Sequence, residues 1–317
     1  MKPAPLAVKP APLAPSSTRR SGRGRRGQRT AAALLIGPFV LLFLAVMVVP
    51  IGYAAYLSLF REQSSGLGFG GTQTLFSGID NYVRALTAPA LQTGFLHIAA
   101  YCAVYIPVMI GGALVLALLI DSTLARAKRF FQLAAFLPHA VPGLIAAIIW
   151  VFLYTPGLSP IHQFLDWAGA KADFFGDDAI LFSMANATAW QWIGYNMVIF
   201  YAALQAIPRE TLEAATVDGS GAIRTALSVK LPMIRSSVVL TTLFTCIGAI
   251  QLFTEPETFR YDATGLSPEW SPTMFIYQAA FSKHDYGIAA AASLILALLG
   301  ALLSFVVTRL GNRWKEA

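Results

Sequence analysis

Six stretches of this chain, each 22 to 30 residues long, contain almost no charge. They cover residues 31–60, 93–120, 130–154, 180–207, 232–253 and 286–308, and Arg235 is the only Asp, Glu, Lys or Arg within them. A helix needs about 20 mostly apolar residues to cross a hydrocarbon core. Each stretch therefore predicts a membrane-spanning helix, and the longer ones have room for tilt. The chain is 12% charged, about half the usual share for a soluble domain. The expected fold class is an all-α polytopic membrane protein with six transmembrane helices.

Residues 1–30 read as a separate segment. A Pro/Ala stretch is followed by Arg19, Arg20, Arg23, Arg25, Arg26 and Arg29. The apolar run after them is too long for a signal-peptide core, so the reading is a retained first span behind a disordered basic tail. The remainder, 31–317, is the transmembrane domain. With the N-terminus in the cytoplasm, eighteen of the 23 Lys and Arg fall on the cytoplasmic side. That bias sets orientation and places both termini in the cytoplasm. The tail then meets anionic lipid rather than nucleic acid. The outer loops are acidic, with Asp166, Asp173, Asp177 and Asp178 before the fourth span. Glu255, Glu257, Asp262, Glu269 and Asp285 lie between the fifth and sixth. Such loops either dock a partner or form a solvated surface.

Apart from Arg235 at a cytoplasmic end, the spans carry no Asp, Glu, Lys or Arg, whereas ion-coupled carriers usually bury ionisable groups at their coupling sites. No catalytic constellation is visible. His97, His139, His162 and His284 are scattered and read as structural, and Cys102 and Cys246 as small buried hydrophobes. No metal site is expected. The fourth span contains Trp192, Tyr195 and Asn196, three and four residues apart and so on one helix face. Ring faces and amides match the C–H faces and hydroxyls of a sugar. The alternative is an interfacial aromatic belt with interhelical hydrogen bonds; the belt explains Trp190, near the outer surface, but not the deeper Asn196. Gln251, near the end of the fifth span, is a further candidate for a polar path. Pro38, Pro50, Pro107, Pro138 and Pro142 are expected to kink their helices.

Between the fourth and fifth spans, residues 208–232 form a loop built like a docking knob. Pro208 suits a helix start, and Glu210 complements the N-terminal dipole. Asp218-Gly219 should end that helix, because glycine accepts a left-handed cap. Ser220 is expected to cap a second short helix. Small residues near the corner would allow close approach to a groove, with Glu213 as an anchor.

This segment resembles the EAA loop of ABC import permeases. Glu213, Ala214, Ala215, Gly219, Val229, Leu231 and Pro232 fill that pattern, with Val229 where isoleucine is commonest. The stretch 204–208, Asp218-Gly219, residues 231–234, Leu137-Pro138 and Tyr286-Gly287 are similar to the carbohydrate branch, the maltose- and glycerol-phosphate-type permeases. The resemblance implies a type I ABC importer permease fold in the bacterial cytoplasmic membrane. It implies a second homologous permease, an ABC ATPase dimer and an extracytoplasmic solute-binding protein that delivers a sugar. Glu213, Ala214, Ala215, Asp218, Gly219, Leu231 and Pro232 would form the coupling loop seated in the ATPase. The chain has no Gly-rich phosphate loop ending in Gly-Lys-Ser/Thr, so ATP and Mg2+ would bind the partner ATPase, with no cofactor in this chain. A permease for another solute, or an ion-coupled carrier, is the alternative.

Overall fold

The computed structural model describes residues 34–64, 72–122 and 126–316; the expected basic tail lies outside them. The chain divides into two units, Met1–Tyr53 and Ala54–Ala317. The first unit's described part belongs to helix α1 (Leu34–Leu57), whose most apolar window has no buried residue. A helix that is apolar on every side suits a lipid environment. Its π-helical turn, Leu44–Val48, includes Val46, whose carbonyl would otherwise meet the ring of Pro50.

In the second unit the expected all-helical pattern has one short exception. Strands β1 (Phe60–Ser64) and β2 (Thr72–Phe76) pair antiparallel, with Phe60 opposite Phe76. The hairpin is tied to α2 (Asp80–Thr87) by Asn81, which is fully buried. Its Nδ2 donates to the carbonyls of Ser58 (2.9 Å) and Phe60 (2.8 Å). From α2, Arg84 reaches Asp285 at 2.7 Å, and Asp285 caps the last helix by accepting the Ile288 N–H.

Helix α3 (Pro89–Asp121) packs along α7 (Ile180–Gln205). Ala113 and Ala117 of α3 and Met197 and Phe200 of α7 are fully buried at this contact. Between lipid-embedded helices such contacts stabilise through van der Waals packing, because lipid is as apolar as the interface. Gly194 of α7 lies so close to α4 (Lys128–Phe136) that an added Cβ would run into the Ala135 carbonyl.

The third predicted span, 130–154, is not continuous. Helix α4 runs into a 3-10 turn, Leu137–Ala140, and α5 (Gly143–Tyr154) leaves it at 97°. Pro142 forces the break, because a residue before proline is driven out of the helical region; Val141 is extended, at φ −77° and ψ 130°. A short helix α6 (Pro160–Trp167) follows.

After α7 come α8 (Arg209–Val217), α9 (Ala222–Thr225), a π-helical turn (Ala226–Lys230) and α10 (Leu231–Met233). Helices α11 (Arg235–Ile250), α12 (Thr254–Phe259), α13 (Pro272–Tyr277) and α14 (Tyr286–Glu316) complete the unit. Among the described residues, four helical segments are long and apolar enough to cross a membrane: Leu34–Leu57, Pro89–Asp121, Arg235–Phe259 and Tyr286–Arg309. The bent α4–α5 pair makes a fifth if counted as one span. Helix α7 is long enough but less apolar, and half of its residues are buried.

Gly194→Ala should force α7 from α4. The expected cost is about 1–3 kcal/mol, as for other overpacked contacts, read as a lower midpoint of thermal unfolding in detergent.

Candidate functional site

Two breaks in helical structure border a cavity of about 330 Å3 that α7 also lines. The first is the 97° turn at 137–142. Its freed Val141 carbonyl accepts a 2.8 Å hydrogen bond from Nε2 of Gln191 on α7. The second lies at Gln251–Phe253, where α11 ends before α12 begins. Its Leu252 carbonyl accepts from the Ser271 hydroxyl at 3.0 Å, and Ser271 also caps α13. Buried carbonyls that leave a helix need such partners.

The cavity brings together all four sequence-predicted path residues, Trp192, Tyr195, Asn196 and Gln251. Trp192 and Tyr195 are 39% and 38% exposed, so their ring faces remain available, while Asn196 is buried at 4%. The Asn196 amide is held by the Trp192 carbonyl and the Met109 sulfur, both at 3.3 Å. Tyr101 and Tyr105 of α3 stack at 5.1 Å on the opposite wall.

His139 belongs to the 3-10 turn and packs against both rings, 4.6 Å from Trp192 and 4.7 Å from Tyr195. The sequence predicts a satisfied or solvent-facing histidine; instead its Nδ1 is buried with no hydrogen-bond partner among the described residues. His97 and His162 are satisfied, by the carbonyls of Trp270 and Tyr154 respectively, each at 2.9 Å.

Sequence reasoning missed the acid of this site. Glu255 was expected in an acidic outer loop; it lies instead on α12, 9% exposed, and lines the cavity. Its Oε1 is 3.2 Å from the Thr188 hydroxyl of α7. Other acids of that outer segment have basic partners: Glu257 with Arg260, Glu269 with Lys283 and Asp285 with Arg84. The Glu257 carboxylate raises the Arg260 guanidinium pKa further above its ordinary value. A larger cleft of about 530 Å3 on the far side of Gln251 is lined mostly by aliphatic residues such as Ile247, Ile276 and Leu296. It offers no aromatic face or acid.

At the other end of α7 the loop has the expected helix–turn–helix form. Gly219 takes φ +73°. The Ser220 N–H bonds the Ala215 carbonyl, and the Gly219 N–H bonds the Thr216 carbonyl. That pair of bonds is a Schellman cap, which requires a left-handed residue at Gly219. Ser220 does not cap the next helix; Gly221 occupies that position, and the Ser220 hydroxyl is buried without a partner. Ala215 faces inward at 8% exposure, while Glu213 and Ala214 face out. Among the described residues no cation pairs with Glu213. Val217 (87%) and Ile223 (78%) project apolar side chains beside it. Leu231 packs against the α3–α7 core and Pro232 is exposed.

The loop is anchored at Asp121, the last residue of α3, which the sequence reading did not single out. Its Oδ2 pairs with Lys230 of the π-helical turn, and its Oδ1 accepts from Gln205, the last residue of α7, at 2.6 Å. One carboxylate thus joins both long helices to the loop.

The family model for the binding-protein-dependent transport system inner membrane component matches residues 113–316. The sn-glycerol-3-phosphate transport system permease protein UgpA of Shigella flexneri is 30% identical over 287 residues, 87% of this chain and 92% of that one. The arabinooligosaccharides transport system permease protein AraP of Halalkalibacterium halodurans is 25% identical over 91% of this chain and 90% of that one. Among solved structures, a chain of a bacterial alginate ABC transporter in complex with alginate pentasaccharide-bound periplasmic protein superposes with a TM-score of 0.73. It shares 19% identity and covers 91% of this chain and 96% of that one. That likeness is one of fold.

Two measurements check the loop anchor and its cap. Asp121→Ala and Lys230→Ala, combined in a double-mutant cycle on thermal unfolding, should show a coupling of about 1–3 kcal/mol, because each side chain is mostly buried against the other. Gly219→Val should cost about 1–3 kcal/mol through strain at a left-handed position, read as a lower unfolding midpoint; Gly221→Val, at φ −72°, should cost less.

Proposed function

The chain belongs to the family of binding-protein-dependent transport system inner membrane components, and within that family we propose that it is a membrane-spanning subunit of an ATP-driven carbohydrate importer. The observation that carries this reading is the joining, by one helix, of a polar, aromatic-walled cavity to an exposed docking loop. A cavity with ring faces, amides and hydroxyls suits a polyhydroxylated solute. An exposed knob with unpaired Glu213 and bare Val217 and Ile223 suits a groove on another subunit.

In this reading α1, α3, the bent α4–α5 pair, α7, the α11–α12 segment and α14 are the six spans of a transmembrane domain, 31–317. The Lys and Arg bias places both termini and the 208–232 loop in the cytoplasm, with residues 1–30 as a basic tail beside the lipid. A second homologous permease completes the translocation path. An extracytoplasmic solute-binding protein delivers the sugar, and an ABC ATPase dimer carries ATP and Mg2+. The membrane is the bacterial cytoplasmic membrane. Transport-named relatives such as AraP support the sugar assignment.

The mechanism is alternating access. ATP-driven closure of the ATPase pair moves the loop through Glu213, Ala214, Ala215, Asp218 and Gly219. The anchor at Asp121 passes that movement to α3 and α7, whose middle turns form cavity walls. The shift requires that the nucleotide-bound ATPase and the loaded binding protein prefer the outward-facing state. Trp192, Tyr195, Asn196 and Gln251 then meet the sugar released from outside.

Reconstitution in liposomes with the second permease, the ATPase subunits and the binding protein tests this reading. Uptake of labelled neutral oligosaccharide should require ATP. Glu213→Ala and Gly219→Asp should lower uptake at least about tenfold, equivalent to 1.4 kcal/mol of coupling, while the chain still inserts. Trp192→Ala should lower uptake but leave ATP hydrolysis in place. Uptake that persists without the ATPase subunits would instead identify an ion-coupled carrier.

A further inference from the structure

One group in the cavity is unexplained by transport of a sugar in general. Glu255 is nine-tenths buried, yet no Lys, Arg or His lines the cavity with it. Its partners among the described residues are the Thr188 hydroxyl and its own backbone N–H. The Thr188 hydroxyl also lies 3.0 Å from the Met184 carbonyl, closer than to Glu255. A hydroxyl has one hydrogen to donate, so the carboxyl group keeps most of its acceptor capacity. An acid buried with so few partners is costly and adds little to packing.

A second observation points the same way. The Tyr101 hydroxyl, on a fully buried side chain of α3 lining the same cavity, lies beside the Thr188 hydroxyl and has no well-aligned hydrogen bond among the described residues. Buried polar atoms normally find partners, and exceptions mark places where something else binds. Here a poorly partnered hydroxyl and an under-used carboxyl group line one cavity.

We propose that Glu255 is the specificity-determining residue of this cavity, accepting hydroxyls of a neutral carbohydrate and keeping out carbohydrates that carry a phosphate or a carboxylate. The inference rests on the carbohydrate-importer reading and narrows it. A carboxylate presents two oxygens that can accept adjacent sugar hydroxyls. An anionic solute would bring like charge beside Glu255 with no basic side chain in the lining to offset it, and like-charge juxtaposition rejects wrong partners. The relatives differ in the charge of the solutes they are named for. sn-Glycerol 3-phosphate carries a phosphate and alginate is an acidic polysaccharide, whereas arabino-oligosaccharides are neutral.

The test uses the assembled transporter in nanodiscs without its binding protein, so that the cavity alone selects. Equilibrium dialysis is run with labelled arabinotriose, sn-glycerol 3-phosphate and alginate trisaccharide. The wild type should bind arabinotriose at least about tenfold more tightly than either anion, and E255Q, which keeps shape and removes charge, should narrow that ratio to about threefold or less by gaining anion affinity. An unchanged ratio in E255Q overturns the charge filter and leaves the carbohydrate reading standing. Loss of neutral-sugar binding in E255Q with no gain for the anions also overturns it, assigning Glu255 a structural role. If E255Q fails to assemble, the wild-type ratio decides: a preference for either anion overturns the proposal. A wild type that binds none of the three while its ATP hydrolysis is intact overturns the carbohydrate reading itself.

Discussion

A backbone carbonyl released from a helix inside an apolar medium must find a donor, and the second unit is organised around two such carbonyls. Val141 and Leu252 mark the points where the third and fifth apolar stretches stop being helical. Gln191 serves the first, and Ser271 and Thr273 serve the second. Each unserved carbonyl would cost several kcal/mol in hydrocarbon, so the breaks exist only because these donors are in place. The breaks in turn create the cavity, because a continuous pair of helices would pack their side chains into the same space.

The same requirement explains the composition of α7. It supplies Gln191 to one break, Thr188 toward Glu255 beyond the other, and Trp192, Tyr195 and Asn196 to the space between. A helix that donates to its neighbours on several sides cannot be uniformly apolar. Its burial among those neighbours makes the polarity tolerable, since polar groups at membrane depth are accommodated where they line a cavity or meet protein. Gly194 belongs to this arrangement: it lets α7 approach the Ala135 carbonyl closely enough for Gln191 to reach Val141.

Periodicity-free apolarity made the helices legible from sequence, and the loop was legible because its signals are local. Asp218-Gly219 ended a helix as expected, since a left-handed cap depends on one residue's backbone freedom. The features that were not legible depend on distant contacts. Pro138 and Pro142 suggested a kink, but a 97° turn needs the Gln191 donor 50 residues away. Glu255 looked like one more acid in a charged outer segment, because Glu257, Asp262 and Glu269 follow it in sequence. Only the turn at Gln251–Phe253 and the position of Thr188 carry it inward. Asp121 looked like an unremarkable helix end, and its two partners are 84 and 109 residues on. Ser220 shows the opposite error, where a good capping residue lost its position to Gly221 because the Schellman bonds had already committed its N–H to Ala215.

From Gln205 at the Asp121 anchor to Gln191 at the Val141 break there are fourteen residues of uninterrupted helix, about 21 Å at 1.5 Å per residue. A helix of that length packed against α3 along its course moves as a rod. Displacement at the loop therefore reaches the cavity as rotation or translation of the whole Gln191–Asn196 face, without a chain of side-chain rearrangements between. The carbonyl of Val141 sits at the end of that rod, and it can follow only if the α4–α5 junction follows too. The junction packs His139 against Trp192 and Tyr195 and bonds to Gln191, so the bent pair and α7 form one moving part. Glu255 lies on α12, which packs against both α5 and α7, and its side chain meets α7 at Thr188. Movement driven from the loop therefore reaches Glu255 through two packed helices, and its carboxyl group and the aromatic face are the two walls a bound solute would have to bridge.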